Sequence, residues 1–108
     1  MPAYCIFLMK NLRDRAKMEQ YWATARNSFA GYNVKLLTGY KDYQIVECDD
    51  KFIAVALAEF DTYANAQTWY NSPEYAPFKK LRNEAGDYLT IIVDADGPPV
   101  PIDQRLRT

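Results

Sequence analysis

The sequence predicts a small α+β domain whose segments follow the order β-α-β-β-α-β. Three observations lead to this prediction. Short apolar runs rich in strand-forming residues stand near both ends of the first 96 residues and in their middle. Two intervening regions carry hydrophobic residues at helical spacing. Glycine, proline and acidic residues mark most of the boundaries between them.

The first half of the chain begins with a strand and continues with a helix. Residues 3–9 form a short apolar run of strand-forming residues. From Arg13 to about Phe29 the period changes, which predicts an amphipathic helix with its apolar stripe on Met18, Trp22, Ala25 and Phe29. Gly31 is positioned to end this helix, because glycine takes the left-handed cap without strain.

The middle of the chain predicts two strands. Residues 33–38 form the first, residues 39–43 a turn, and residues 44–48 either pair locally or extend that strand. Residues 52–60 are the clearest strand of the sequence. Their alternation places Ala54, Ala56 and Ala58 on one face and Ile53, Val55, Leu57 and Glu59 on the other.

A second helical region follows this strand. Asp61 or Thr62 can cap a helix that runs through Tyr70. The segment Asn71–Glu74 then breaks the chain, and Ser72 is a candidate cap for a new helix.

The chain ends with a helix, a strand and a proline-rich segment. Pro77 has no N–H to donate inside a running helix, so the regular part is predicted to begin near Ala76 and to reach about Ala85. The last strand covers residues 87–93. We predict one domain over residues 1–96 and an extended Pro-rich tail over residues 97–108, which cannot join a sheet ladder.

This order predicts the ferredoxin-like fold, a four-stranded antiparallel sheet with both helices on one face. The strands at 3–9, 52–60 and 88–93 are nevertheless apolar on both faces. Two helices cover only one face, so something else must cover the second. Another copy of the same sheet satisfies both copies at once, and we therefore predict a homodimer.

The charge balance argues against several partners. Thirteen basic and fourteen acidic residues give a net charge of -1, which offers nucleic acid or an anionic membrane no attraction. The strand at 52–60 also lacks the stacking aromatics of an RNA-recognition sheet. No apolar stretch is long enough to span a membrane, and the first residues do not resemble a signal peptide. We therefore expect no nucleic-acid or membrane partner and a cytoplasmic location.

The chain contains no histidine, and this limits its chemistry. The commonest general base and the commonest transition-metal ligand are missing, and histidine-ligated haem is excluded. Acidic turns at 49–50 and 94–96 are interpreted as solvated segments, so we predict no metal site and no cofactor. The two cysteines, Cys5 and Cys48, stand in no ligand or redox spacing and are predicted to be buried thiols.

Several short stretches resemble a known family. They are Pro2–Tyr4, Val46-Glu47, Glu59-Phe60, Trp69–Tyr75 and Leu81-Arg82. Over about residues 2–94 the chain resembles the domain-of-unknown-function 1330 family of the dimeric α+β barrel superfamily. The resemblance implies the fold and a dimeric α+β barrel. It implies little about function, since the superfamily includes cofactor-free monooxygenases, isomerases, haem enzymes and proteins without known activity.

One segment departs from the family pattern. Members usually carry an arginine and two glycines after the second strand, where this chain has Thr38-Gly39-Tyr40. An anion-binding role for that arginine therefore does not carry over to this sequence.

Two carboxylates are candidate site residues. Glu59 has the parity of Val55 and Leu57, so it can point into the barrel interior, where burial would raise its pKa and allow it to act as a base. Strand-end glutamates are more often solvated or paired with an arginine such as Arg82. If Glu59 and Arg82 face a common cavity, they should lie within ion-pair distance. Glu47 is a weaker candidate of the same kind.

Three aromatic residues are also candidates. Tyr4, Trp22 and Trp69 could line a ligand pocket between the sheet and the helices. At helical spacing, Trp22 and Trp69 are more often plain core. Ser72 is interpreted as a helix cap and not as a nucleophile, because no histidine or obvious lysine base accompanies it.

Two functions are compatible with these residues. The preferred one is a non-catalytic or small-ligand-binding module. The alternative is a cofactor-free oxygenase or isomerase acting on a small aromatic or hydroxylated metabolite. A pocket holding a desolvated carboxylate would favour the enzyme, and a pocket closed by side chains would favour the module.

Overall fold

A computed structural model describes residues 2–103 of the chain, and within them it confirms the predicted order of elements. The second helical region is divided in two, as the sequence predicted. The elements are β1 (Ala3–Leu12), α1 (Arg15–Thr24), a 3₁₀ helix (Ala25–Phe29), β2 (Val34–Gly39), β3 (Ala54–Phe60), α2 (Tyr63–Tyr70), α3 (Ala76–Ala85) and β4 (Gly86–Asp94).

The strands form one antiparallel sheet in the order β2-β3-β1-β4. All neighbouring strands are antiparallel. Each helical crossover joins two strands that are not neighbours, and a third strand lies between them: β3 between β1 and β2, and β1 between β3 and β4. Side chains of alternate parity on β1 and β3 are buried under the helices. They are Ala3, Cys5, Phe7 and Met9 on β1 and Ala56, Ala58 and Phe60 on β3. The face assignment predicted for β3 is therefore confirmed.

The first helix is shorter than its apolar period predicts. Asp14 caps α1 by accepting a hydrogen bond from the Lys17 N–H at 3.1 Å. The α-helical part ends at Thr24, and the last turn tightens into the 3₁₀ helix. Gly31 follows with φ +88°, in the left-handed region that glycine favours.

The prediction that residues 44–48 pair locally or extend the second strand is wrong. Residues 41–46 have no regular structure, and the chain from Tyr40 to Ile53 crosses from β2 to β3 without adding to the sheet. Tyr40 takes φ 60°, which turns the chain away from the sheet edge directly after β2. Short-range contacts hold part of this segment, including the bond from the Tyr43 hydroxyl to the Phe52 carbonyl at 2.5 Å.

The predicted break between α2 and α3 is confirmed, but Ser72 acts differently from the prediction. Thr62 caps α2 by accepting from the Asn65 N–H at 3.0 Å, and α3 begins at Ala76. Ser72 does not cap α3 directly. Its hydroxyl donates to the Trp69 carbonyl and accepts from the Tyr75 N–H, so it fixes the turn that joins the two helices.

The predicted tail, residues 97–108, lies partly outside the described residues. Within the described part, residues 98–101 have no regular structure and do not extend the sheet.

The two cysteines have opposite environments. Cys5 is buried on β1, as predicted, and burial raises the pKa of its thiol to about 12. The expectation was wrong for Cys48, which is exposed because its segment does not join the sheet.

This difference gives a simple test of the fold. We expect a thiol reagent such as Ellman's reagent at pH 8 to titrate one thiol per native chain, Cys48, and both thiols after denaturation. The variant Cys48→Ser should show no fast-reacting thiol. Rapid labelling of Cys5 in the native variant would contradict the placement of β1.

Candidate functional site

A cavity of about 210 Å³ lies between the sheet and the α1–3₁₀ segment. Its floor is formed by Phe7 on β1 and by Ala56 and Ala58 on β3. The small alanine side chains leave space that a larger aliphatic residue would fill. Its other lining residues are Tyr21, Trp22, Ala25, Arg26, Phe29, Leu36, Gly39, Tyr40 and Trp69.

The lining is mainly aromatic. The ring centroids of Trp22 and Tyr40 are 5.3 Å apart, and those of Phe29 and Trp69 are 5.1 Å apart. The indole N–H of Trp22 is buried and has no hydrogen-bond partner among the described residues. Flat apolar walls of this kind suit the π-face of an aromatic ligand.

Tyr40 is held in a strained backbone conformation beside the cavity. A φ of 60° is uncommon for a residue other than glycine, and such strain costs on the order of 1–3 kcal/mol and clusters at ligand sites. Two contacts hold the residue there. Its N–H donates to the Val55 carbonyl at 2.8 Å, and its hydroxyl is hydrogen-bonded to that of Tyr88 at 3.1 Å.

Trp69 is the centre of the core as well as part of the cavity wall. It is 1% exposed, and its indole N–H donates to the Ser28 hydroxyl at 3.0 Å. Five aromatic rings surround it with centroids between 4.1 and 6.4 Å away: Phe7, Phe29, Phe60, Tyr70 and Tyr75. Trp69 therefore belongs both to the core and to the cavity wall, which the sequence had left as alternatives.

Arg82 is buried under the helices and is not among the described residues that line the cavity. Its guanidinium donates to the Thr90 hydroxyl at 3.0 Å and to the Tyr70 hydroxyl at 3.2 Å. The carbon at its centre lies 4.9 Å from the Tyr88 ring centroid and 5.2 Å from that of Phe7. Among the described residues its partners are therefore neutral, and its Nε atom has none.

Tyr4 and Glu59 lie on the other face of the sheet. The Tyr4 hydroxyl donates to a Glu59 carboxylate oxygen at 3.2 Å, across the β1–β3 pair. Partial burial and this contact with Glu59 raise the pKa of Tyr4. Glu59 borders an open depression of about 270 Å³ with Lys35 and Asp61, which is more exposed to solvent than the aromatic cavity.

The six residues singled out in the sequence therefore do not form one pocket. Trp22 and Trp69 line the cavity, whereas Arg82 lies behind it. The expected pairing of Glu59 with Arg82 is wrong, because the sheet separates them. Glu47 is exposed in the segment between β2 and β3 and is not among the described lining residues.

The other ten described lining residues were not singled out as site residues, among them Tyr21, Arg26, Phe29 and Tyr40. Phe29 had a signal, since it belongs to the predicted apolar stripe of the first helix. Tyr40 had only its place in a turn, and its backbone conformation is not readable from sequence.

The buried tyrosines are not suited to act as bases at neutral pH. The hydroxyls of Tyr21 and Tyr75 are 2.8 Å apart. Burial raises the pKa of both, and for Tyr21 the neighbouring Tyr75 raises it further; the charge of Arg82 opposes the shift without reversing it. Burial likewise raises the pKa of Tyr88.

The antiparallel sheet, the single helical layer and the split crossovers define a ferredoxin-like α+β protein. The chain belongs to the family described as Domain of unknown function (DUF1330), whose model matches residues 2–96. No curated protein matches the sequence. Within residues 2–103, the helices are too short or too polar to cross a membrane.

Solved structures with low sequence identity share the fold. The protein of unknown function RPA0582 from Rhodopseudomonas palustris is 17% identical with a TM-score of 0.63, over 90% of this chain and 84% of that one. A dimeric ferredoxin-like protein of unknown function from Thermobifida fusca is 12% identical, with a TM-score of 0.58 over 87% and 91%. SnoaB from Streptomyces nogalater, a cofactor-independent oxygenase, is 13% identical, with a TM-score of 0.53 over 93% and 96%.

Proposed function

We propose that the protein is a homodimer in which each subunit binds a small, flat, aromatic molecule in the cavity beside Trp22. The observation that carries this proposal is the aromatic lining of a space that the side chains leave open. Side chains of a packed core rarely leave an aromatic-lined space of this size, so its presence beneath the α1–3₁₀ segment supports a ligand site.

The volume limits the ligand. Drug-sized ligands occupy pockets of roughly 300–1,000 Å³, whereas an engineered apolar cavity of about 150 Å³ binds benzene. A cavity of about 210 Å³ lies between these cases. It fits a ligand of one or two fused rings.

The chemistry of the lining supports binding over catalysis. Among the described residues that line the cavity there is no carboxylate, lysine or cysteine to act as a base. The alternative is a cofactor-free oxygenase, the activity carried by SnoaB on the same fold. It would need its base from the bound molecule or from Tyr40, which lines the cavity and whose hydroxyl is hydrogen-bonded to that of Tyr88. A cytoplasmic location and the absence of nucleic-acid partners stay predictions from composition.

The helix-free face of the sheet supports the homodimer. Strands β3, β1 and β4 each contribute residues to this face. The strand register aligns Leu57, Ile6 and Ile91 in one row. It aligns Val55, Leu8 and Leu89 in the next row. Ile91 is 42% exposed and Leu89 is 39% exposed, so an apolar surface spans three strands. Soluble monomers rarely leave such a surface open, and the structurally similar protein from Thermobifida fusca is described as dimeric.

The binding proposal is tested by filling the cavity with Ala56→Leu. We expect equilibrium dialysis to show that two-ring probes, 2-naphthoate and 2-naphthamide, bind the wild type. The leucine side chain occupies space that the probe needs. Each CH₂-sized part of the probe that can no longer be buried weakens binding by about 0.8 kcal/mol. Binding should therefore weaken about tenfold or more, while thermal unfolding shows a folded protein.

Ala54→Leu provides the matched control. Ala54 lies two residues earlier on β3, packs against the core and is not among the described residues that line the cavity. This variant should keep wild-type affinity. The proposal fails if neither probe binds the wild type, or if Ala54→Leu and Ala56→Leu weaken binding equally.

A further inference from the structure

The charged residues around the cavity bear on the class of ligand that it binds. Arg26 is the charged residue among the described lining residues. It lies on the 3₁₀ helix, borders the cavity and is exposed, which places the residue where the cavity meets solvent. No ion pair joins it to a carboxylate of the described residues. It is therefore a cation available to a ligand.

A second positive charge lies behind the cavity floor. Arg82 contacts the Phe7 ring at 5.2 Å from the centroid, and Phe7 is part of that floor. Arginine stays protonated in proteins, and the hydrogen-bond partners of Arg82 among the described residues are the neutral hydroxyls of Thr90 and Tyr70. A buried charge is weakly screened, so its field reaches into the cavity.

Resting on the proposed function, we propose that the ligand is a small aromatic anion. Its ring lies against Trp22 and Phe29, and its carboxylate meets the guanidinium of Arg26. The fork of guanidinium donors matches a carboxylate in shape and charge. No carboxylate of the described lining opposes this orientation, and the positive charge of Arg82 favours an anion over a neutral or cationic ring.

The test compares 2-naphthoate with its neutral analogue 2-naphthamide by equilibrium dialysis at low salt. We expect the wild type to bind 2-naphthoate about tenfold more tightly. Arg26→Gln should weaken 2-naphthoate binding about five- to tenfold and change 2-naphthamide binding less than about twofold. Because Arg26 is exposed, 0.5 M NaCl should reduce the preference for the anion.

Arg15→Gln is the matched control. Arg15 is an exposed arginine on α1 that pairs with Glu19 at 3.0 Å, away from the described lining, and its loss changes the net charge equally. It should leave both affinities unchanged. Equal binding of the two probes by the wild type, or equal effects of the two variants, would overturn the anion and leave the cavity as a binding site. Binding of neither probe would overturn both proposals.

Discussion

Replacing Ile91 with glutamate is expected to convert the protein from a dimer to a monomer at micromolar concentration. Ile91 stands beside Ile6 in the first of the two apolar rows of the helix-free face. A two-fold axis would bury two glutamates between the sheets, at a cost of several kcal/mol for each uncompensated charge. The dissociation constant should rise about 1,000-fold or more. Light scattering should change from twice 12.5 kDa to 12.5 kDa.

Tyr63→Glu is the control for this experiment. Tyr63 is 39% exposed, close to the 42% of Ile91, but it lies at the first turn of α2 in the helical layer. A glutamate there suits the positive end of the helix dipole, and the mass should stay at the dimer value. A monomeric wild type, or a dimeric Ile91→Glu variant, would show that the helix-free face is not the interface.

Replacing Trp69 with alanine is expected to destabilise the fold by about 3–5 kcal/mol. The indole is almost fully buried, so its loss leaves a large void beneath α2 that five neighbouring rings cannot fill without shifting. The total free energy of unfolding of a domain of this size is roughly 5–15 kcal/mol, so the variant should be partly unfolded near 50 °C. Urea unfolding followed by circular dichroism at one fixed protein concentration measures the loss.

Trp22→Ala separates the core from the cavity wall. Trp22 is half-buried and borders space that is already open, so its removal should destabilise the fold by about 1–2 kcal/mol, less than the removal of Trp69. It should, however, weaken binding of 2-naphthoate. Equal destabilisation by the two substitutions would indicate that the space beside Trp22 closes in solution.

Local patterns predicted most of the fold. The alternation of Ala54, Ala56 and Ala58 with Val55 and Leu57 predicted both faces of β3, because the period of a strand depends on neighbouring residues alone. Caps and breakers fixed the ends of α2 and the start of α3 for the same reason. The prediction for residues 44–48 was wrong, since pairing with a sheet edge depends on the left-handed backbone conformation of Tyr40, which no local preference favours.

The site was predicted less well, because it is built by long-range contacts. The alternation that describes β3 already places Glu59 on the helix-free face, which conflicts with a partnership to the helical Arg82. The aromatic candidates Trp22 and Trp69 lie in the cavity wall, and their role in binding a ligand stays a prediction. The cavity itself depends on small side chains of β3 lying opposite the 3₁₀ helix, and a single sequence does not show that juxtaposition.

The strict alternation of side chains along β1 and β3 has an evolutionary consequence. Phe7 and Ala56 belong to the cavity, whereas their chain neighbours Ile6 and Leu57 belong to the helix-free face. A substitution at one position alters one surface and leaves the other in place. The lining of the proposed binding cavity can therefore change among descendants by point mutation while the proposed dimer face is inherited unchanged.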